Sequence, residues 1–369
     1  MAKIIIFNAS SSIYGAERGL INLVKTLKGK YEISVVLPDK GPLEQLLKRW
    51  GVNTKIFPLA VVMFSLSPLY YIRFLGRSVT NLVYFTLYVK REKIDIICSN
   101  SLLLLFPAIV AKLNRRKSVW YIREFLSNKI ADFILGFFVK CFADKVICQS
   151  EVIRRKLNLI NKAKVIYEPF DKANYKMYDC EDIKKAWNLP RDITIVSCVS
   201  RLHPSKGQYE FINQVKDILG KRRDIFLFIA GDITPPTARN ILYRKKIERL
   251  IKKNKLKNIL LLGWRSDVDK IYSISDICVF PFLREEPFGI AVVEALCFGK
   301  LTFFPQNGGA KEIRDIFKRG RLFDINKIRD VICNFKAMAT TELSSFHVPL
   351  ALSPVIYNQE ISSLFSDLK

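Results

Sequence analysis

"ITIVSCVSRLHPSKG", residues 193–207, decides how this chain is divided. Its first seven residues are rich in β-branched side chains and read as a buried strand. A loop follows that carries Arg201 and Lys206 and closes on Gly207. Just before it lies a polar, proline-bearing connection, "DCEDIKKAWNLPRD" (179–192), so at this point a strand–helix rhythm restarts. Downstream, "DIFLFIAGD" (224–232), "NILLLGW" (258–264), "DICVFPF" (276–282) and "GKLTFFPQNGG" (299–309) are strands with glycine- or proline-marked ends, and helical stretches fill the gaps. Upstream the same rhythm has already run once. "KIIIFNA" (3–9), "YEISVVLP" (31–38), "NTKIFPL" (53–59), "KIDIICSNS" (93–101), "KSVWYIRE" (117–124), "DKVICQSE" (144–151) and "KAKVIYEPFD" (162–171) read as strands. "GLINLVKTLKG" (19–29) and "PLEQLLKRWG" (42–51) read as helices, with 10–18 a loop. The reading is α/β: two Rossmann-like domains, 1–172 and 173–350, facing across a cleft, and a C-terminal helix, 351–369, that returns to the first.

Composition narrows the class. Half of the 369 residues are apolar, enough to fill two cores. Eight scattered cysteines without a C-x-x-C pair, and only two histidines, His203 and His347, suggest neither a disulfide framework nor a zinc site. They fit a reducing cytosol. The N-terminus reads straight into a strand rather than a signal peptide. The most apolar stretch, "FPLAVVMFSLSPLYYI" (57–72), is too short to span a bilayer and is broken by Pro58 and Pro68. Net charge is +26, and residues 1–170 carry 27 of the 60 Lys+Arg but only 11 of the 34 Asp+Glu. Such a surface attracts polyanions, either nucleic acid or an anionic leaflet, although a genome biased towards Lys, Ile and Asn gives the same excess.

The chemistry gathers at successive strand ends of the second half. Arg201 and Lys206 on one strand-end loop suit a pyrophosphate. Gly231 in "IAGD" allows a backbone to come close, and Gly263 with Trp264 in "LGWRSDV" suits a nucleobase. In "EEPFGIAVVEALCFGK" (285–300), Pro287 and Gly289 shape a turn and a helix runs from about Ile290 to Phe298. Amides at that helix start suit hydroxyls or phosphate oxygens. Glu286 and Glu294 flank the turn, and a carboxylate accepts the two hydroxyls of a vicinal diol. "DVD" (267–269) superficially matches a metal motif, but reads as a helix start with Asp267 capping and Asp269 exposed.

In order, "SRLHPSKG", "IAGD", "LGWRSDV", "EPFGIAVVE" and "NGGAKEI" resemble the retaining glycosyltransferases of the GT-B fold, glycosyltransferase family 4, over residues 195–315. In the first half "YGAERGLINL" resembles that family's glycine-rich first loop, and "ICQSE" with Ser150 and "VIYEPFD" fall at its expected places. The resemblance implies a nucleotide-diphosphate sugar donor held by Gly15, Arg201, Lys206, Gly231, Trp264, Arg265, Glu286, Phe288, Gly289, Ile290 and Glu294. Glu294 would take the ribose, Glu286 the donor hexose, and Arg201 and Lys206 the departing diphosphate, with no metal and no cofactor. One departure is plain. Where many relatives carry a histidine, "WYIREF" places Arg123 and Glu124, which either face sugar and acceptor or form an internal salt bridge.

The resemblance implies that acceptors bind mainly the first domain. Its excess of cations and its apolar segments, "FPLAVVMFSLSPLYYIRFLGR" and "REFLSNKIADFILGFFVKCFADK", are either buried helices or a face for the inner leaflet of the plasma membrane, where a lipid-linked saccharide of a surface polysaccharide would be the acceptor. The competing readings are a nucleotide-sugar epimerase, a basic polyanion-binding protein and a non-catalytic scaffold. No zinc pattern, base-reading helix or stacking motif supports specific nucleic-acid recognition.

Overall fold

The computed structural model describes residues 1–13, 15–62, 68–126, 128–234, 236–332 and 348–368, with backbone alone for Ala16 and Ile325. His347 and the middle of the apolar stretch 57–72 lie outside the described residues. The chain forms two units: Met1–Pro169 together with Pro354–Lys369, and Phe170–Ser353.

The first unit alternates β1 (Lys3–Phe7), α1 (Gly15–Leu27), β2 (Glu32–Leu37), α2 (Pro42–Arg49), β3 (Asn53–Ile56), α3 (Pro68–Arg91), β4 (Ile96–Ser99), α4 (Phe106–Leu113), β5 (Lys117–Ile122), α5 (Lys129–Phe142), β6 (Lys145–Cys148), α6 (Glu151–Lys156) and β7 (Ala163–Val165). The second runs α7 (Cys180–Ala186), β8 (Thr194–Val199), α8 (Gln208–Lys221), β9 (Ile225–Ala230), α9 (Ala238–Lys253), β10 (Ile259–Gly263), α10 (Val268–Ile274), β11 (Ile277–Val279), α11 (Ile290–Cys297), β12 (Leu301–Pro305), α12 (Ala310–Phe317) and β13 (Arg321–Phe323). A last helix, α13 (Pro354–Ser366), belongs to the first unit.

Both sheets are parallel, in the orders β3-β2-β1-β4-β5-β6-β7 and β10-β9-β8-β11-β12-β13. Parallel strands need crossovers that cover both faces, which is why the strands are near-continuous apolar runs. In β1, Ile4 and Ile6 pack under Leu20, Leu23 and Val24 of α1, while Ile5 and Phe7 pack on the other face with Phe85 and Val89 of α3 and Val110 of α4. The C-terminal helix packs back on the first unit, burying Tyr357, Ile361, Leu364 and Phe365 in the core beneath α1.

Two helices depart from the sequence reading. Helix α1 begins at Gly15, inside the expected loop, with Glu17 in its first turn where the helix dipole favours a carboxylate. The polar connection 179–192 contains α7. Asp179 accepts from the N–H groups of Glu181 and Asp182, acids fill the first turn and lysines the last, so its polarity is that of a short capped helix.

Each sheet reverses its winding once, at β1/β4 and at β8/β11. Ligands of open α/β sheets sit beyond the strand C-termini at such a reversal.

Candidate active site

In the second unit the loops after β8 and β11 leave adjacent strands at the reversal and dock on each other. The Leu283 N–H donates to the Ser205 carbonyl at 2.9 Å. Gly207, at φ 72°, lies so close to the Pro281 carbonyl that a Cβ would collide with it. Within this contact the Lys206 ammonium meets the Glu286 carboxylate at 2.5 Å and lies 4.5 Å above the Phe282 ring. Lys206 is buried and Glu286 half-buried. Two residues 80 positions apart thus form one ion pair at the reversal.

Around it positive charge accumulates. Burial first, and then the cations Arg201, Arg239, Lys206 and Arg284, push the His203 imidazole down to about 4. His203 stays a neutral turn-former whose Nδ1 accepts from the Ser205 N–H at 3.1 Å. Arg201 is exposed, its guanidinium reaching the Thr234 carbonyl at 3.2 Å, and buried Gln208 fixes its backbone by donating to the Arg201 carbonyl at 2.8 Å. The sequence reading passes over Arg239, at the start of α9, and Arg284, on the loop after β11.

The acidic turn is built on α11. Gly289 caps it at φ 88°, a left-handed conformation that favours glycine. The amides of Ile290 and Ala291 belong to its first turn, where no intrahelical acceptor exists. "NGGAKEI" has a structural task here. Gly308 and Gly309 lie against the backbone of Glu286–Phe288, where any Cβ would clash, and the Gly309 N–H donates to the Glu286 carbonyl at 2.8 Å. Phe288 is buried.

Glu294 lies in the second turn of α11 and is buried. Its oxygens accept from the Tyr175 hydroxyl at 2.6 Å and the Tyr272 hydroxyl at 2.9 Å. Two carboxylate oxygens offer about four acceptor positions. Neither tyrosine is marked in the sequence: one lies 119 positions from Glu294, and the other reads as core.

The remaining candidates of this unit are nearby in sequence order but differently employed. Gly231, at φ 137°, packs on the Ser200 backbone, and its N–H donates to the Gly263 carbonyl at 2.7 Å. Its close approach is thus to the β8 loop that carries Arg201. Trp264 is 61% exposed, an open aromatic face. Arg265 forms a two-pronged pair with Asp267, at 2.7 Å on each side. This corrects the capping role expected of Asp267: it stands at the N-cap of α10, but its carboxylate makes no cap hydrogen bond. Arg265 holds it instead and lowers its pKa. Asp269 is half-buried rather than exposed, accepting from the Lys176 N–H at 3.1 Å. Among the described residues no three His, Cys, Asp or Glu side chains are placed to hold a metal ion.

Gly15, Arg123 and Glu124 belong to the first unit. Gly15 opens α1. Arg123 follows β5 with its side chain 2% exposed, and forms an ion pair with Glu168 of "VIYEPFD" at 2.9 Å. It also donates to Asn100 and lies 3.6 Å over the Tyr121 ring. Gly19 of α1 touches this pair so closely that a Cβ would strike both side chains. An internal salt bridge therefore exists, with Glu168 rather than Glu124 as partner. Glu124 is turned to the β4 loop, accepting from the Ser101 hydroxyl and the Leu102 N–H, and burial raises its pKa. Ser150 caps α6.

Comparison with known proteins decides what this geometry belongs to. The family described as Glycosyl transferases group 1 matches residues 179–337, and Glycosyltransferase Family 4 matches residues 13–173. Together these two glycosyltransferase models cover most of the chain. An uncharacterized glycosyltransferase of Methanocaldococcus jannaschii is 32% identical over 193 residues, 51% of this chain and 48% of that protein. The lipopolysaccharide 1,2-N-acetylglucosaminetransferase of Salmonella typhimurium is 26% identical over 40% of this chain and 39% of its own length. The match therefore spans half or less of these two relatives. The Escherichia coli UDP-Gal:alpha-D-GlcNAc-diphosphoundecaprenol alpha-1,3-galactosyltransferase is 25% identical over 82% of this chain and 79% of its own. Among solved structures, Anabaena HepE with UDP and glucose shares the fold at TM-score 0.77 and 22% identity, covering 99% of this chain and all of that one. The GT-B fold of this glycosyltransferase is thereby shown.

Proposed function

We propose that this glycosyltransferase moves a hexose, with retention of anomeric configuration, from a nucleotide-diphosphate sugar to a hydroxyl of a lipid-linked saccharide. One observation carries the reading: the Lys206–Glu286 pair at the β8/β11 reversal, next to His203, whose imidazole feels the charges of Arg201, Arg239 and Arg284. Breaking an anomeric bond builds negative charge on the leaving diphosphate and positive charge on the sugar. Fixed cations aimed at the first, and a carboxylate beside the second, favour that separation. Lys206 and Glu286 hold each other until the donor arrives; the diphosphate then takes Lys206, and Glu286 turns to sugar hydroxyls. Glu294, steadied by Tyr272, accepts from the ribose. Trp264 and the Gly263 backbone lie on the side of the base, and the first-turn amides of α11 with Gly289 on the side of the hexose.

Because protein cations neutralise the leaving group, the reaction is proposed to need no metal. Arg123, locked onto Glu168, positions the first unit's strand-end loops in this account, and Glu124 is the group nearest to an acceptor role. Donor and acceptor classes are supported by relatives and neighbours named for a UDP-galactose transferase acting on a diphosphoundecaprenol-linked sugar and for complexes with UDP-sugars. On this reading the protein works at the cytoplasmic face of a membrane. An assay with UDP-galactose or UDP-glucose and a diphosphoundecaprenol-linked N-acetylglucosamine, with and without EDTA, tests this. Transfer that survives EDTA and yields an α-linked product by NMR supports the reading. Donor binding without transfer to any lipid-linked or soluble saccharide overturns it.

A further inference from the structure

The first unit leaves a large apolar surface uncovered. Helices α3, α4 and α5 lie side by side on one face of its sheet, with α4 packed against both neighbours. Asn81, Phe85 and Val89 of α3 and Leu135 and Val139 of α5 point into the core. On the opposite side of α3, Ile72, Leu75, Val79 and Val83 are 67, 63, 62 and 58% exposed, at spacings of three and four residues that make one stripe. On α5, Phe133 and Phe137 are 57 and 62% exposed. Over half of the exposed large apolar side chains among the described residues lie on these three helices. A helix that is apolar all round belongs in a core or against something apolar.

Charge says what that something is. The only carboxylate within the three helices is Asp132, which is buried and accepts from the Leu126 N–H at 2.7 Å. The exposed charges of the same helices are all cations: Arg73, Arg77, Lys90, Arg91, Lys112, Lys129 and Lys140. A wide apolar surface whose own exposed charges are all lysine and arginine, with Glu92 just past α3 paired to Arg91, is complementary to an anionic bilayer, where aromatic and aliphatic side chains enter the acyl boundary and cations meet phosphate. No described helix is long and apolar enough to cross a membrane. We infer that the α3–α4–α5 face of the first unit docks on anionic lipid, lying on the bilayer rather than spanning it. This deepens the reading of a lipid-linked acceptor.

Co-sedimentation of the full chain with vesicles tests it, using phosphatidylcholine alone and with about one third phosphatidylglycerol. The predicted result is binding to the anionic vesicles that weakens at high salt. It should fall at least tenfold in Phe133→Ser/Phe137→Ser and several-fold in Arg73→Glu/Arg77→Glu, and hold in Leu242→Ser, a surface change on the second unit. UDP binding in the same preparations separates the two claims. Unchanged UDP binding with no vesicle binding, or with vesicle binding indifferent to these substitutions, overturns the membrane face alone. A dimer in light scattering that Phe133→Ser/Phe137→Ser dissociates also overturns it, because the face is then a contact between copies. Should the serine pair fail to fold, the arginine pair, which alters only exposed charge, decides.

Discussion

In the proposed reading Lys206 has a single task that its neighbours cannot take over: to meet the diphosphate from inside a loop whose path Gly207 fixes. Lys206→Ala is expected to weaken UDP binding by tenfold or more, since a charge-assisted bond contributes about 1.5–3 kcal/mol. Glu286→Gln should leave UDP affinity within a few-fold and reduce turnover by about a hundredfold, because it removes an interaction made with the sugar and not with the nucleotide. Parallel titrations and initial rates separate the two. His203 gives a pH test. Its folded pKa, about 4, lies below the ordinary 6.5, so the unfolded chain takes up the proton first. Its contribution is therefore whole above pH 6.5 and is lost as pH falls towards 4. Chemical unfolding of His203→Asn should show a flatter decline across that window than the parent. The carboxylates Glu286 and Glu294 are legible in the sequence because a helix start and a fixed spacing announce them. Tyr175 and Tyr272 are not, because they reach the site through tertiary hydrogen bonds that leave no periodic mark.

Elements show the same division. Every strand of the sequence reading exists, since a doubly covered parallel sheet demands apolar runs that composition reveals directly. Helix α7 is missed because its signal is capping and charge order rather than hydrophobic period, and β13 because three residues carry no pattern. The Arg123–Glu168 pair joins the end of β5 to the segment after β7 beneath Gly19, and sequence alone leaves its partner open. Breaking a buried pair from one side is costly, about 3–5 kcal/mol, because the other charge stays buried. Arg123→Ala should accordingly lower the first unit's melting temperature by roughly 10 °C. The double change Arg123→Met/Glu168→Leu should recover much of that loss in a thermal scan.

At the scale of the whole molecule, each unit has its own core, and the last helix is spent on the first. Tyr357, Ile361, Leu364 and Phe365 are buried there, at about 2 kcal/mol each, together comparable with the whole stability of a domain. Ending the chain after Ser353 should unfold the first unit, seen by circular dichroism and proteolysis, and spare UDP binding by the second. The most direct test of the central claim, a donor-diphosphate site at the β8/β11 reversal, is calorimetric titration of the full chain with UDP, GDP and ADP without added metal, beside Lys206→Ala. One-to-one binding of one of these nucleotides that Lys206→Ala weakens by tenfold or more is expected. Absence of binding to all three by the folded chain, or binding that Lys206→Ala leaves intact, would contradict it.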